Sequence, residues 1–135
     1  MPVRVLHIGD LHLGIETYSR PLAGAGYGTR VEDYLRSLDS ALARAGEEDL
    51  ILFAGDVYKN CLPNPTVQRE FAIRVRCAAR HASVVIIPGN HDVPGAAGRA
   101  NSVDIFEALE VENVRVLRHP EVIGLDTRAG RGSET

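Results

Sequence analysis

Three short clusters carry residue types that could do chemistry together: Asp10-Leu11-His12, Gly55-Asp56 and Gly89-Asn90-His91-Asp92. Carboxylates, imidazoles and a carboxamide suit borderline or hard divalent cations such as manganese, iron or zinc. A carboxylate at Asp56 could bridge two such cations about 3.5–4 Å apart, a spacing used for phosphoryl hydrolysis. Cations so placed lower the pKa of a shared water, position a phosphate, and hold the attacking and leaving oxygens in line. A histidine that is not a ligand, next to a residue that is, could then give a proton to the leaving oxygen. A single Asp or His after a strand is usually a cap or turn residue. Three clusters, each beside glycine and each after an apolar run, are poorly explained that way.

The elements that must position these clusters can be read from periodicity. Residues 3–8, 50–54 and 84–87 are strand-length apolar runs, and each runs directly into one cluster. Residues 14–28 hold five glycines or prolines and read as a long loop. Thr29 and Glu32 have capping-box spacing, and Val31, Leu35, Leu38 and Leu42 follow at helical spacing up to a stop at Gly46. Asn64-Pro65 can open a second helix, its apolar face being Phe71, Ala72, Val75, Ala78 and Ala79. A short helix over 103–109 and a strand over 114–117 complete the pattern. Strand–helix alternation of this kind predicts an α/β fold, a mainly parallel sheet flanked by helices. In such sheets ligands bind outside the carboxyl ends of the strands. Asp10, His12, Asp56, Asn90 and His91 should therefore gather at one rim. Gly9, Gly55 and Gly89 would let the chain turn sharply there.

Composition narrows the functional classes. A chain of 135 residues suggests one domain; we place it at 1–127, with a polar, frayed tail over 128–135. Net charge is −3, which gives no overall electrostatic footprint for nucleic acid. That weighs less against a metalloenzyme, because bound cations invert the charge of an acidic site. No apolar run is long enough to span a membrane and no secretory signal opens the chain, so the expected location is the cytoplasm. Cys61 and Cys77 match no zinc or redox spacing and read as reduced thiols. His7 reads as a structural histidine within its strand, while His81, His119 and the stripe Arg69, Arg76 and Arg80 read as solvated. Tyr58, Lys59 and Asn60 follow Asp56 directly and could either contact substrate or pack the loop.

The three clusters, each after a buried strand, resemble the calcineurin-like metallophosphoesterase superfamily. Within it, His7-Ile8-Gly9-Asp10-Leu11-His12-Leu13-Gly14, Leu52-Phe53-Ala54-Gly55-Asp56-Val57-Tyr58 and Ile86-Ile87-Pro88-Gly89-Asn90-His91-Asp92 look most like the SbcD-type DNA-repair exonuclease subunit. The resemblance runs over residues 3–126 and implies the N-terminal half of a metallophosphoesterase β-sandwich. It implies a pair of divalent metal ions, manganese by expectation. Asp10 and His12 would ligate the first, Asp56 would bridge, and Asn90 would ligate the second. His91 would be the catalytic histidine and Asp92 the carboxylate supporting it. The implied reaction is hydrolysis of DNA phosphodiesters, as an exonuclease or endonuclease in double-strand-break repair. An SbcC-type ATPase and a second copy of the chain would be the partners.

The family completes its site with a further histidine and then Gly-His-x-His, whereas only His119, in Arg118-His119-Pro120, follows His91 here. The chain therefore reads as a truncated catalytic domain. Two other readings stay open: a non-catalytic fragment or pseudo-enzyme, and a phosphatase or phosphodiesterase of the same superfamily with a non-DNA substrate.

Overall fold

The computed structural model describes residues 3–45, 50–89 and 100–124. Along the chain run β1 (Val5–Gly9), α1 (Thr29–Leu42), β2 (Leu50–Ala54), α2 (Pro65–Ala79), β3 (Ser83–Ile87), α3 (Asp104–Ala108) and β4 (Val114–Val116). The strands form one parallel sheet in the order β1-β2-β3-β4, as the alternation of elements predicts. Register aligns Ile8 with Phe53, Phe53 with Ile86, and Ile86 with Val116. This row, with the row through Ile51, Val84 and Val114, points into the core shared with the helices. The opposite face carries Val5, His7, Ile87 and Arg115, all exposed, beside the buried Val85. His7 therefore lies on the exposed face of the sheet.

Phe71 of α2 sits at the centre of the core. Its ring meets Phe53, Tyr58 and Phe106 edge to face, at centroid distances of 5.2, 5.5 and 5.7 Å. Such pairs add roughly 0.5–1.5 kcal/mol beyond the area they bury. One side chain thus ties β2, the loop after it and α3 to α2. Across the helix pair, Arg74 of α2 forks onto both Asp39 oxygens of α1, at 2.7 and 3.2 Å, and also reaches Glu70 at 2.9 Å. Burial works against the Arg74 charge, but the Asp39 and Glu70 carboxylates outweigh it and hold its pKa above the ordinary value.

The two long helices start differently. Asn64 accepts from the Val67 amide at 2.9 Å with Pro65 at the first helical position, as expected for α2. For α1 the expected capping box does not form: its N-cap is Gly28, with no side-chain cap bond. The cause is the preceding loop. Pro21 and Gly28 form an antiparallel bridge, the Thr29 amide donates to the Arg20 carbonyl at 2.8 Å, and Thr29 Oγ1 accepts from the Arg20 amide at 3.0 Å. Thr29 is thereby committed to closing the loop. Glu32 turns to Arg36, whose Nε donates to it at 3.0 Å, and to the Tyr27 hydroxyl. The helix ends at Leu42; the expected stop at Gly46 and the tail over 128–135 lie outside the described residues. Among the described residues, no helix is long and apolar enough to cross a membrane.

Candidate metal centre

The site is built where β1 and β2 end. The chain leaves these neighbouring strands through residues in the left-handed region, with φ of 52° at Asp10, 47° at His12, 83° at Gly55 and 49° at Asp56. Few non-glycine residues adopt that region, although Asp and His are among the more tolerant. Such conformations concentrate at functional sites and need surrounding structure to hold them. Here the surrounding structure is the other loop. The His12 amide donates to the Asp56 carbonyl at 2.8 Å, Leu13 to Val57 at 2.8 Å, and Lys59 back to Leu13 at 3.0 Å. Leu13 and Tyr58 form a parallel bridge, so the β1–β2 ladder kinks and then resumes beyond the strand ends. Leu13, Val57 and Tyr58 are each no more than 1% exposed and pin this extension to the core.

The kink leaves three side chains at the rim. A carboxylate oxygen of Asp10, one of Asp56 and an imidazole nitrogen of His12 all lie within 4.8 Å of one another. His12 Nε2 is 3.9 Å from Asp10 Oδ1 and 4.0 Å from Asp56 Oδ2, too far for hydrogen bonds. Neighbouring ligand atoms bound about 2.0–2.2 Å from one cation stand about 2.8–3.6 Å apart, so a closure of several tenths of an ångström would let these side chains share an ion. Exposure is graded across the trio, from 80% for the Asp10 side chain through 29% for His12 to 16% for Asp56. The most enclosed carboxylate is thus the one expected to bridge. Two carboxylates and an imidazole are a donor set suited to manganese, iron or zinc.

The structure places Asp10, His12 and Asp56 together at the rim, but the glycines do not all take the sharp turn expected of them. Gly55 has the positive φ expected of it, whereas Gly9 does not, and a Cβ there would meet nothing nearer than the Ala54 carbonyl at 3.7 Å. Gly89, at the exit from β3, packs directly against Asp56, so the third strand does lead to this rim. Asn90, His91 and Asp92 lie outside the described residues. Among the candidate substrate residues, Tyr58 is 1% exposed with its ring on Phe71, a packing position. Lys59 and Asn60 are exposed; the Lys59 stem lies over Gly14, and Asn60 Oδ1 accepts from the Leu62 amide at 3.0 Å. His81, His119, Arg69, Arg76 and Arg80 are exposed as expected. Cys61 and Cys77 are both free thiols. The lacing through Leu13 escapes sequence reasoning; its only signal there is an apolar residue set between two polar turns.

A profile of the calcineurin-like phosphoesterases matches residues 3–131. The chain belongs to that family. Several proteins named for DNA repair or nuclease activity are similar to it. It is 29% identical over 126 residues to the DNA double-strand break repair protein Mre11 of Archaeoglobus fulgidus, covering 90% of this chain and 26% of that protein. It is 31% identical over 124 residues to the protein of the same name in Haloferax volcanii, with the same coverage of 90% and 26%. The SbcD component of the nuclease SbcCD of Escherichia coli K12 is 29% identical over 127 residues, covering 90% of this chain and 29% of that protein. The chain thus spans between a quarter and a third of the length of these relatives.

Proposed function

We propose that this chain supplies the first part of a two-cation phosphodiesterase centre that hydrolyses DNA. The observation that carries the reading is the convergence of Asp10, His12 and Asp56 on two left-handed loops laced to each other. Asp10 and His12 would hold one cation, Asn90 would take part in holding the second, and Asp56 would serve both. When bound, the pair supplies charge that stabilises the reacting phosphate and its oxygens. The chain's own groups do the rest. His91 delivers a proton to the leaving oxygen and Asp92 orients that histidine. Lys59 and Asn60, exposed on the loop that begins at Asp56, meet the substrate backbone. Manganese is the proposed metal. An SbcC-type ATPase and a second copy of the chain are the proposed partners, in the cytoplasm; the names of the relatives support the DNA reading.

The test is a manganese-dependent nuclease assay of the protein at its natural length, beside Asp56→Asn and His91→Ala. Both variants should lose cleavage by about 100-fold or more, given that even residues behind metal ligands cost 10–100-fold. Retained cleavage in either sinks the role assigned to that residue. The substrate is set by loops more than by the metal clusters. Single- and double-stranded DNA are therefore assayed beside a simple phosphodiester and a phosphomonoester, and preference for the phosphomonoester would overturn the DNA reading.

A further inference from the structure

At the rim, Gly89 lies against the backbone and carboxylate of Asp56 with no room for a side chain. A Cβ built on Gly89 would collide with the Asp56 amide nitrogen and Oδ1, and would stand 2.8 Å from its Cγ, where real Cβ atoms essentially never come within 3.0 Å. Rotating the carboxylate could relieve only part of this, because the amide nitrogen belongs to the backbone. Gly55 closes the contact from the other strand: its own Cβ would stand 3.3 Å from Gly89 Cα, and its amide donates to the Ile87 carbonyl at 2.8 Å. The exits of β2 and β3 therefore touch backbone to backbone through two glycines, immediately beside Asp56.

We propose that Gly89 is a positioning residue for the metal centre, its missing side chain being what lets Asp56 occupy the bridging place. The inference rests on the two-cation reading and adds a requirement at a residue that ligates nothing. Asp56 has little room to adjust. It already holds a φ of 49°, and its carbonyl accepts the His12 amide at 2.8 Å. A methyl group at 89 would push Asp56, and through that hydrogen bond would disturb His12. One steric change would thus reach two ligands. Gly9 supplies the matched contrast, since a Cβ there finds only ordinary van der Waals contact at 3.7 and 3.9 Å.

The test is Mn2+ binding, followed by the electron paramagnetic resonance of the free ion, for the protein at its natural length and for Gly89→Ala, Gly55→Ala and Gly9→Ala. Thermal unfolding without metal is recorded for each. Gly89→Ala should bind Mn2+ about 10–100-fold more weakly, the range for residues that orient metal ligands, and excess Mn2+ should restore part of its activity. Gly55→Ala presses on Gly89 from 3.3 Å and also forces an alanine to a φ of 83°, so it should lose melting temperature together with affinity, whereas Gly9→Ala should stay within about two-fold of the parent. If Gly89→Ala does not fold, Gly55→Ala carries the test, and unchanged affinity there overturns the proposal. A parent that binds Mn2+ beside a folded Gly89→Ala that binds it equally well overturns the positioning role alone. A parent that binds no Mn2+ overturns the two-cation reading and this inference with it.

Discussion

His12 is joined to Asp56 twice: its backbone amide donates to the Asp56 carbonyl at 2.8 Å, and its Nε2 faces Asp56 Oδ2 at 4.0 Å. The first contact is a hydrogen bond that fixes one loop on the other. The second is a gap slightly wider than the roughly 2.8–3.6 Å between neighbouring ligands of a common cation, which a small side-chain movement would close. Because the backbone bond already holds the two loops together, metal binding is left chiefly with adjusting the side chains.

That rigidity depends on Leu13, which follows His12, is fully buried and continues the ladder to Val57 and Tyr58. Leu13→Ala should destabilise the fold by about 2–5 kcal/mol, as expected for truncating a buried leucine. It should also weaken Mn2+ binding, because it loosens the anchor of the loop that carries His12. Denaturant melts and a Mn2+ titration of the same sample read both effects. A stability loss with Mn2+ affinity unchanged would show that the ligand loop does not rely on this anchor.

The two helix starts predict opposite results for similar changes. Asn64→Ala removes the bond to the Val67 amide and should cost about 1 kcal/mol. Thr29→Ala removes no cap, only the bond from the Arg20 amide that closes the loop, and should cost less. Thermal melts decide it, and a larger loss at Thr29 than at Asn64 would contradict this description of α1.

This pair of helix starts also shows how far the sequence can be read. Periodicity locates the strands and helices, because each buries one consistent face and the parallel sheet needs long crossovers between its strands. Asn64-Pro65 is legible because its capping partner is three residues away. Thr29 is not, since its hydroxyl is claimed by Arg20, nine residues back through a loop whose closure no local pattern announces. At the candidate site, Asp10, His12 and Asp56 are legible from their place after apolar runs. The close approach of Gly89 to Asp56 is not, because it depends on how two segments distant in sequence meet.

A pH dependence follows from the loop–helix junction. Glu32 accepts from Arg36 and from the Tyr27 hydroxyl, and these hydrogen bonds hold its carboxyl below the usual value. A carboxyl depressed on folding stabilises the folded state above its unfolded pKa, and that contribution is lost as pH falls through the lowered value. The Tyr27 phenol is raised, chiefly by its bond to Glu32, so its contribution is complete below its ordinary pKa and fades as pH rises through the raised one. Glu32→Gln should therefore flatten part of the acid limb of the stability profile and part of the alkaline limb as well, because each limb owes its slope to a pKa that this contact shifts. Melting temperatures taken across both limbs test this, and superimposable profiles for parent and variant would contradict it.

The central claim, that Asp56 bridges two cations, is tested most directly by counting metal. The protein at its natural length is equilibrated with Mn2+, freed of excess, and assayed for bound equivalents beside Asp10→Ala and Asp56→Ala. The account predicts two equivalents in the parent, loss of one when Asp10 is replaced, and loss of both when Asp56 is replaced. Two equivalents retained by Asp56→Ala, or none bound by the parent, would contradict it.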